Sequence, residues 1–274
     1  MSDTKSDIMS METSIDKPKI ALEIMYDGTR FHGWQVQKNS VSVQSTLQDA
    51  FQTLVGFRPD ISGCSRTDAG VHADSYVCHL NSSGIRIPVN RLPAALNTAL
   101  RSSGIAVKNA AAVSEDFHAR YSCTSKEYIY KIWNAQFENP FLENRALFFP
   151  RKADFEKYSH LFSEFCGTHD FRAFMSKGSK NENNTIRTVK YFDFTQEGNL
   201  ITFRVCADGF LYNMVRIMTG TILKLCSEGA SSGAVCEIID SLDRTRAGDT
   251  APAHGLYLNR VFYDTDLFYP VKEV

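Results

Sequence analysis

Long apolar runs are missing from the 274 residues, none of which approaches the roughly 18 consecutive apolar positions of a membrane span, so a soluble protein is expected. Charge of one sign is missing too. Lys and Arg number 30 against 31 Asp and Glu, a formal net charge of -1, so the chain lacks the overall basic surplus of many dedicated nucleic-acid binders. Any RNA site must therefore be a local basic patch. The seven cysteines (Cys64, Cys78, Cys123, Cys166, Cys206, Cys226 and Cys236) are odd in number and contain no Cys-x-x-Cys pair. That pattern argues against a disulfide frame or a zinc knuckle and for reduced thiols in a cytosolic, cytoplasmic protein. No Gly-x-Gly-x-x-Gly and no Walker loop occurs, and the sequence gives esterase chemistry no support. His72 and His79 stand seven apart with no zinc-ligand spacing, so each reads as a hydrogen-bonded structural residue and no metal is expected. Residues 1–17 mix Asp, Glu, Lys, Ser and Thr without an apolar run; they are expected to form a disordered tail and not a signal peptide.

What is present repeats itself. Ile20, Leu22, Ile24 and Tyr26 alternate with Ala21, Glu23 and Met25 as in a strand with one buried face. Val43, Leu47, Phe51 and Leu54 follow at helical spacing behind Ser42 as N-cap. Strands fit near 59–64 and 74–81, Pro88 opens a helix carrying Leu92, Leu96 and Leu100, and Ile105 to Val113 makes a further strand. The order is βαββαβ, the split-βαβ unit. In the second half Tyr128, Tyr130 and Ile132 mark a strand, and Phe155, Tyr158, Phe162 and Phe165 a helix closed by Gly167. Strands near 186–195 and 200–206 precede a long helix from about Phe210 to Ser227, an extra helix at 234–242 and a last strand at 256–263. The fold class is thus α+β: two ferredoxin-like βαββαβ halves, an N-terminal domain over 18–116 and a C-terminal one over 117–274.

Residues Gly63 to Ala73 read Gly-Cys-Ser-Arg-Thr-Asp-Ala-Gly-Val-His-Ala. Turn-forming residues make this irregular backbone, and a lone acid, Asp68, beside Arg66 can be held ionised and aimed. Loops of this type are also common as plain turns. Cys64 has no partner base, so any catalysis rests on Asp68. The best basic patch is 171–190, where Arg172, Lys177, Lys180, Arg187 and Lys190 face one acid, Glu182. By itself this equally describes a solvated loop.

The whole eleven-residue string closely resembles the catalytic loop of the tRNA pseudouridine synthase A family. Further matches follow in order from Lys19 to Tyr263: Tyr26-Asp-Gly-Thr-Arg-Phe-His-Gly-Trp-Gln35, Ser42-Val-Gln-Ser-Thr-Leu-Gln48, Phe117-His-Ala-Arg-Tyr121 and Lys126-Glu-Tyr-Ile-Tyr130. Gly167-Thr-His-Asp-Phe171, Arg187-Thr-Val189, Met214-Val-Arg216 and Ala251-Pro-Ala-His-Gly-Leu-Tyr-Leu258 complete the series. Cys64-Ser65 depart from it, standing where many members carry a Gly or Ala pair.

The resemblance implies an isomerase that converts uridine to pseudouridine at positions 38, 39 and 40 of the tRNA anticodon stem-loop, without a cofactor. Asp68 would be the essential carboxylate, as nucleophile or as base; both roles stay open. Arg216 would pair with it, and Tyr128 would stack on the uracil and assist proton transfer at C5. Periodicity alone makes Tyr128 a core aromatic of a strand. Arg66 would enter the space the flipped base vacates, with Arg86, Phe117, His118, Ala119, Arg120 and Tyr121 contributing to substrate binding and Lys177, Lys180 and Arg187 gripping the tRNA body. The resemblance also implies a homodimer and RRM-like halves joined into one extended, mostly antiparallel sheet, the pseudouridine synthase fold. A non-catalytic RRM-like RNA-binding protein is the alternative, and it lacks the ribonucleoprotein pattern that stacks bases on a sheet. An N-glycosidase that stops at bond cleavage is a third reading, without the second acid such enzymes require.

Overall fold

The computed structural model describes residues 18–151, 153–176 and 184–268; the expected tail over 1–17 lies outside them. Among the described residues ten strands and five α-helices follow one another as β1 (Lys19–Tyr26), α1 (Val43–Val55), β2 (Ile61–Gly63), β3 (His72–Asn81), α2 (Leu92–Ala99), β4 (Ile105–Val113), β5 (Cys123–Trp133), β6 (Leu147–Phe148), α3 (His160–Ser163), β7 (Gly167–Asp170), β8 (Ile186–Glu197), β9 (Leu200–Ala207), α4 (Met214–Glu228), α5 (Ala234–Ser241) and β10 (Leu256–Tyr263). The strands form one open sheet in the order β4-β1-β3-β10-β5-β9-β8-β7, with β2 beside β3 and β6 beside β5. All of its ladders are antiparallel except β3 with β10 and β5 with β6. The expected mixed α+β fold with a large, mostly antiparallel sheet is therefore the one observed.

Local chemistry accounts for the elements. Ser42 Oγ accepts the backbone N–H of Ser45 at 3.1 Å while Ser45 Oγ accepts that of Ser42 at 3.1 Å, a reciprocal cap that starts α1, and Gly56 ends it in the left-handed region at φ 83°. In β1 the expected face of Ile20, Leu22, Ile24 and Tyr26 is buried, but so are Ala21 and Glu23 on the other face. Glu23 is sheltered because Ser75 Oγ, Lys108 Nζ and Asn109 Nδ2 donate to its carboxylate at 2.7, 2.9 and 2.6 Å. A buried charge persists when its acceptor sites are filled in this way.

Three departures from the sequence reading have physical causes. The helix expected over Phe155–Phe165 is mostly tight turns around the single-turn α3, with N–H groups bonding three residues back, as from Tyr158 to Phe155 and Cys166 to Ser163. The aromatic spacing is real, yet it serves to set Phe155, Phe162 and Phe165 against Phe192 and Phe203 of the sheet at ring distances of 4.9 to 5.5 Å. The long helix starts four residues later than expected, at Met214, because Asn213 takes a left-handed conformation at φ 62° and breaks the run. Finally, Gly229-Ala-Ser-Ser-Gly233 does fit Gly-x-Ser-x-Gly, although the sequence was read as offering esterase chemistry nothing. The string joins α4 to α5 and follows no strand. Both glycines adopt positive φ, and the Glu164 carboxylate accepts from Gly233 N and Val235 N at 2.8 and 2.9 Å to cap α5. It is a helix-to-helix turn and not a nucleophile elbow.

Candidate active site

Asp68 lies between β2 and β3 on backbone that the opening segment of the chain holds in place. Trp34 N donates to Thr67 O at 3.2 Å, Gly70 N to Phe31 O at 3.3 Å, and the Tyr26 hydroxyl meets Thr67 Oγ1 at 2.8 Å. Gly33, at φ 87°, passes so close that a Cβ there would sit 2.4 Å from Thr67 O. Glycine is required on both counts. On the other side Trp34 stacks on Tyr76 at 4.3 Å, and the Tyr76 hydroxyl donates to Ser65 O. The segment Tyr26–Gln35 is thus a buttress for the acid loop.

The second half of the chain supplies the groups that face the acid. Arg216, on the first turn of α4, lies with Nη1 3.5 Å from Asp68 Oδ2; it donates from Nε to Ala251 O at 2.7 Å and from Nη1 to Asn213 Oδ1 at 2.8 Å. Ala251 N returns a bond to Arg216 O at 3.1 Å, so the guanidinium is held from two sides. Burial raises the Asp68 carboxyl above its ordinary value by more than Arg216 lowers it. Tyr128, on β5, is buried; its hydroxyl lies 3.2 Å from Ser65 Oγ and its ring meets Phe210 edge to face at 5.0 Å. Burial, opposed by the Ser65 contact, pushes its phenol well above the ordinary range and keeps it protonated at neutral pH.

These groups line a cleft of about 1120 Å³. Among the described residues its wall carries five cations, Arg66, Arg120, Lys126, Arg187 and Arg216, against two carboxylates, Asp68 and Asp208. It is a local basic patch assembled from both halves and not from 171–190 alone. Of that segment only Arg187 has its basic group in the wall; Arg172 lies 3.8 Å from Asp170, and Lys190 donates to Ser125 Oγ at 3.0 Å. Lys177 and Lys180 lie outside the described residues. Arg66 is exposed, and among the described residues no hydrogen bond or ion pair engages its guanidinium; the ion pair of Asp68 is made with Arg216 instead.

Sequence reasoning grouped other residues that the fold separates. Arg120 and Tyr121 reach the cleft, and Tyr121 is 75% exposed with its ring 4.3 Å from that of His118. Phe117 and Ala119 are buried beneath them: Phe117 packs on His79 and Tyr263, and Ala119 N donates to His79 Nδ1 at 3.1 Å. Those two side chains face the protein interior, so the segment presents His118, Arg120 and Tyr121. Arg86 is exposed on the connection between β3 and α2, outside the cleft wall. His72 and His79 are structural, as expected; burial lowers both, His79 to about 4. Burial likewise pushes the Cys64 thiol up to about 12, which makes it inert. Among the described residues no three His, Cys, Asp or Glu side chains could together hold a metal ion. Phe210, Tyr212 and Asn213 were missed, because the pattern absorbed them into a helix that begins only after them.

An open, mostly antiparallel α+β sheet thus carries an acid loop over a cation-lined cleft. The family model described as tRNA pseudouridine synthase matches residues 23–122 and 161–264. Over 245 residues the chain is 43% identical to tRNA pseudouridine synthase A of Acetivibrio thermocellus, covering 89% of this chain and 99% of that one. The enzyme of the same name from Clostridium kluyveri is 42% identical over 244 residues, with the same coverage, and that from Leptospira biflexa 36% over 250, covering 90% and 94%. The chain belongs to the tRNA pseudouridine synthase family, whose members are isomerases.

Proposed function

We propose that this protein converts uridine to pseudouridine at positions 38, 39 and 40 of the tRNA anticodon stem-loop, with Asp68 as the essential carboxylate. The observation that carries the reading is Asp68 facing Arg216 at 3.5 Å, beside the buried Tyr128, in a cleft whose wall is mainly cationic. The reaction breaks the N1–C1′ bond, turns the uracil and forms a C5–C1′ bond; one proton leaves C5, one arrives at N1, and no electrons are gained or lost. The carboxylate serves this either by attacking C1′ or by removing a proton from the sugar. Arg216 favours the ionised form that both routes need. Tyr128 stacks on the uracil, and its hydroxyl, 3.2 Å from Ser65 Oγ, assists the transfer of the C5 proton.

Exposing the reacting carbons requires the uridine to leave its stack, at a cost of a few kcal/mol that is smaller in a loop than in a duplex. Arg66, exposed in the wall of the cleft, fills the space left behind. Arg120, Lys126 and Arg187 hold phosphates, which reads shape more than sequence and suits one enzyme to three adjacent uridines. Lys177 and Lys180 extend that grip. We further assign the division near 114–122, the irregular link from β4 to β5, as the boundary between two domains, and a homodimer as the working state. Phe137 and Phe141, 74% and 88% exposed, offer apolar surface for a second copy.

The test is to incubate the purified protein with unmodified tRNA transcript and map pseudouridine with a carbodiimide that marks it. Product at positions 38 to 40 is expected. Unaltered RNA that nonetheless binds would leave an RNA-binding protein, and release of free uracil an N-glycosidase.

A further inference from the structure

The late start of α4 leaves Tyr212 in an unusual setting. It is 47% exposed and belongs to the wall of the cleft that contains Asp68. Its backbone is fixed: Ser176 N donates to Tyr212 O at 3.1 Å, and the next residue, Asn213, bonds Ser176 Oγ through Nδ2 at 2.9 Å while accepting from Arg216. Among the described residues neither its ring nor its hydroxyl has a hydrogen-bond, ring or cation partner. A half-exposed aromatic on a pinned backbone, in the wall of a cationic cleft, offers a ring face to a group bound there. The cleft's other exposed aromatic, Tyr121, is by contrast packed against His118 and lies 5.7 Å from the Arg120 guanidinium.

We propose that Tyr212 is a stacking platform for a nucleobase adjacent to the target uridine, an assignment that rests on the tRNA-modifying function proposed above. When the uridine leaves its stack, the bases on either side each lose one covered face. Arg66 can cover one of them. An aromatic face covers the other, and because every base has such a face the contact tolerates different neighbours, as an enzyme serving several adjacent uridines requires. Stacking needs the ring and not the hydroxyl, which separates this role from proton transfer.

The experiment uses full-length protein and a tRNA transcript carrying 2-aminopurine next to a target uridine, after wild-type product formation has been established on the unlabelled transcript. If wild type makes no pseudouridine, the functional reading fails before this one is tested. Wild type and Tyr212→Phe should quench the fluorophore on binding and modify the RNA at similar kcat/KM. Tyr212→Leu, which keeps bulk without a π face, and Tyr212→Ala should lose the quench specific to the platform and about tenfold in kcat/KM. Two variants guard against a folding defect in either, with matched thermal melts as the check. Wild-type kinetics and quench in Tyr212→Leu would overturn the proposal, and so would loss of activity in Tyr212→Phe equal to that in Tyr212→Ala.

Discussion

Removing the guanidinium at Arg216 should move the acid limb of the pH–rate profile upward. Asp68 must be ionised to act by either route, so the rate rises as pH passes through its pKa, which burial has already raised above the ordinary value. At 3.5 Å two unit charges attract by about 1 kcal/mol in a water-like medium and about 5 kcal/mol at an effective dielectric of 20. The side chains of Arg216 and Asp68 are 17% and 37% exposed, so solvent screening places this pair toward the lower end, about 1 to 2 kcal/mol. That corresponds to about one pH unit. In Arg216→Gln the limb should therefore lie about one unit higher, with the rate depressed about tenfold below the limb and recovering as pH rises. Arg216→Lys, which keeps a charge but not the bond geometry to Ala251 and Asn213, should leave the limb nearly in place while lowering the plateau. Single-turnover assays on tRNA transcript between about pH 5 and 8.5 measure both, with pre-folded RNA and full RNA binding verified at each pH. A limb that stays put in Arg216→Gln, or moves down, would refute the pairing as the control of Asp68.

Asp68→Asn keeps size and loop shape while removing the charge; product formation should fall below detection and tRNA binding should stay within about twofold, checked by filter binding, since a carboxylate adds nothing favourable to phosphate contacts. Arg66→Ala should lower the saturated rate far more than affinity, whereas Arg187→Ala should weaken binding and reduce the slope of log affinity against log salt by about one. Gly33→Ala drives a Cβ toward Thr67 O and strains a left-handed backbone. A cost of about 2 to 3 kcal/mol in thermal or denaturant unfolding is expected, with a rate loss beyond tenfold, because the clash falls on the neighbour of Asp68.

The strands were legible because their periods are clean: β1, β4, β8, β9 and β10 lie where alternation placed them, within a residue or two at most ends. Helix chemistry was legible where a side chain declares it, as with Ser42 ahead of α1. Backbone that departs from the local pattern was not. Asn213 carries no mark that distinguishes a left-handed break from a helical residue, so Phe210 and Tyr212 were hidden inside α4. Phe117 and Ala119 were grouped with their motif because a linear string does not say which alternate members turn inward. The same holds for charge: a cleft assembled from Arg66, Arg120, Lys126, Arg187 and Arg216 has no signature in a sliding window, since its members come together only through the sheet.

That assembly makes the join between the halves part of the active-site geometry. Asp68 comes from the first half and Arg216 and Tyr128 from the second, yet β3 and β10 share only two residue pairs, His72 with Tyr257 and Ala73 with Leu258. So short a ladder is reinforced by His72, four residues from Asp68. Its Nδ1 accepts from Gly28 N at 3.0 Å, its Nε2 lies 3.0 and 3.1 Å from the carbonyls of Asn144 and His254, and its ring stacks on Tyr257 at 4.5 Å. This pattern fits the neutral imidazole with its proton on Nε2. Protonating Nδ1 would oppose two N–H groups, and burial lowers the His72 pKa despite the attraction of Asp27. A histidine with a lowered pKa contributes stability that is present above its unfolded value, about 6.5, and is lost as pH falls through its folded value. The join consequently keeps the His72 contribution on the neutral side of the profile. An acid limb that shifts with the charge at position 216 then reports the ionisation of Asp68, while one that follows loss of folded signal instead reports the opening of the join at His72.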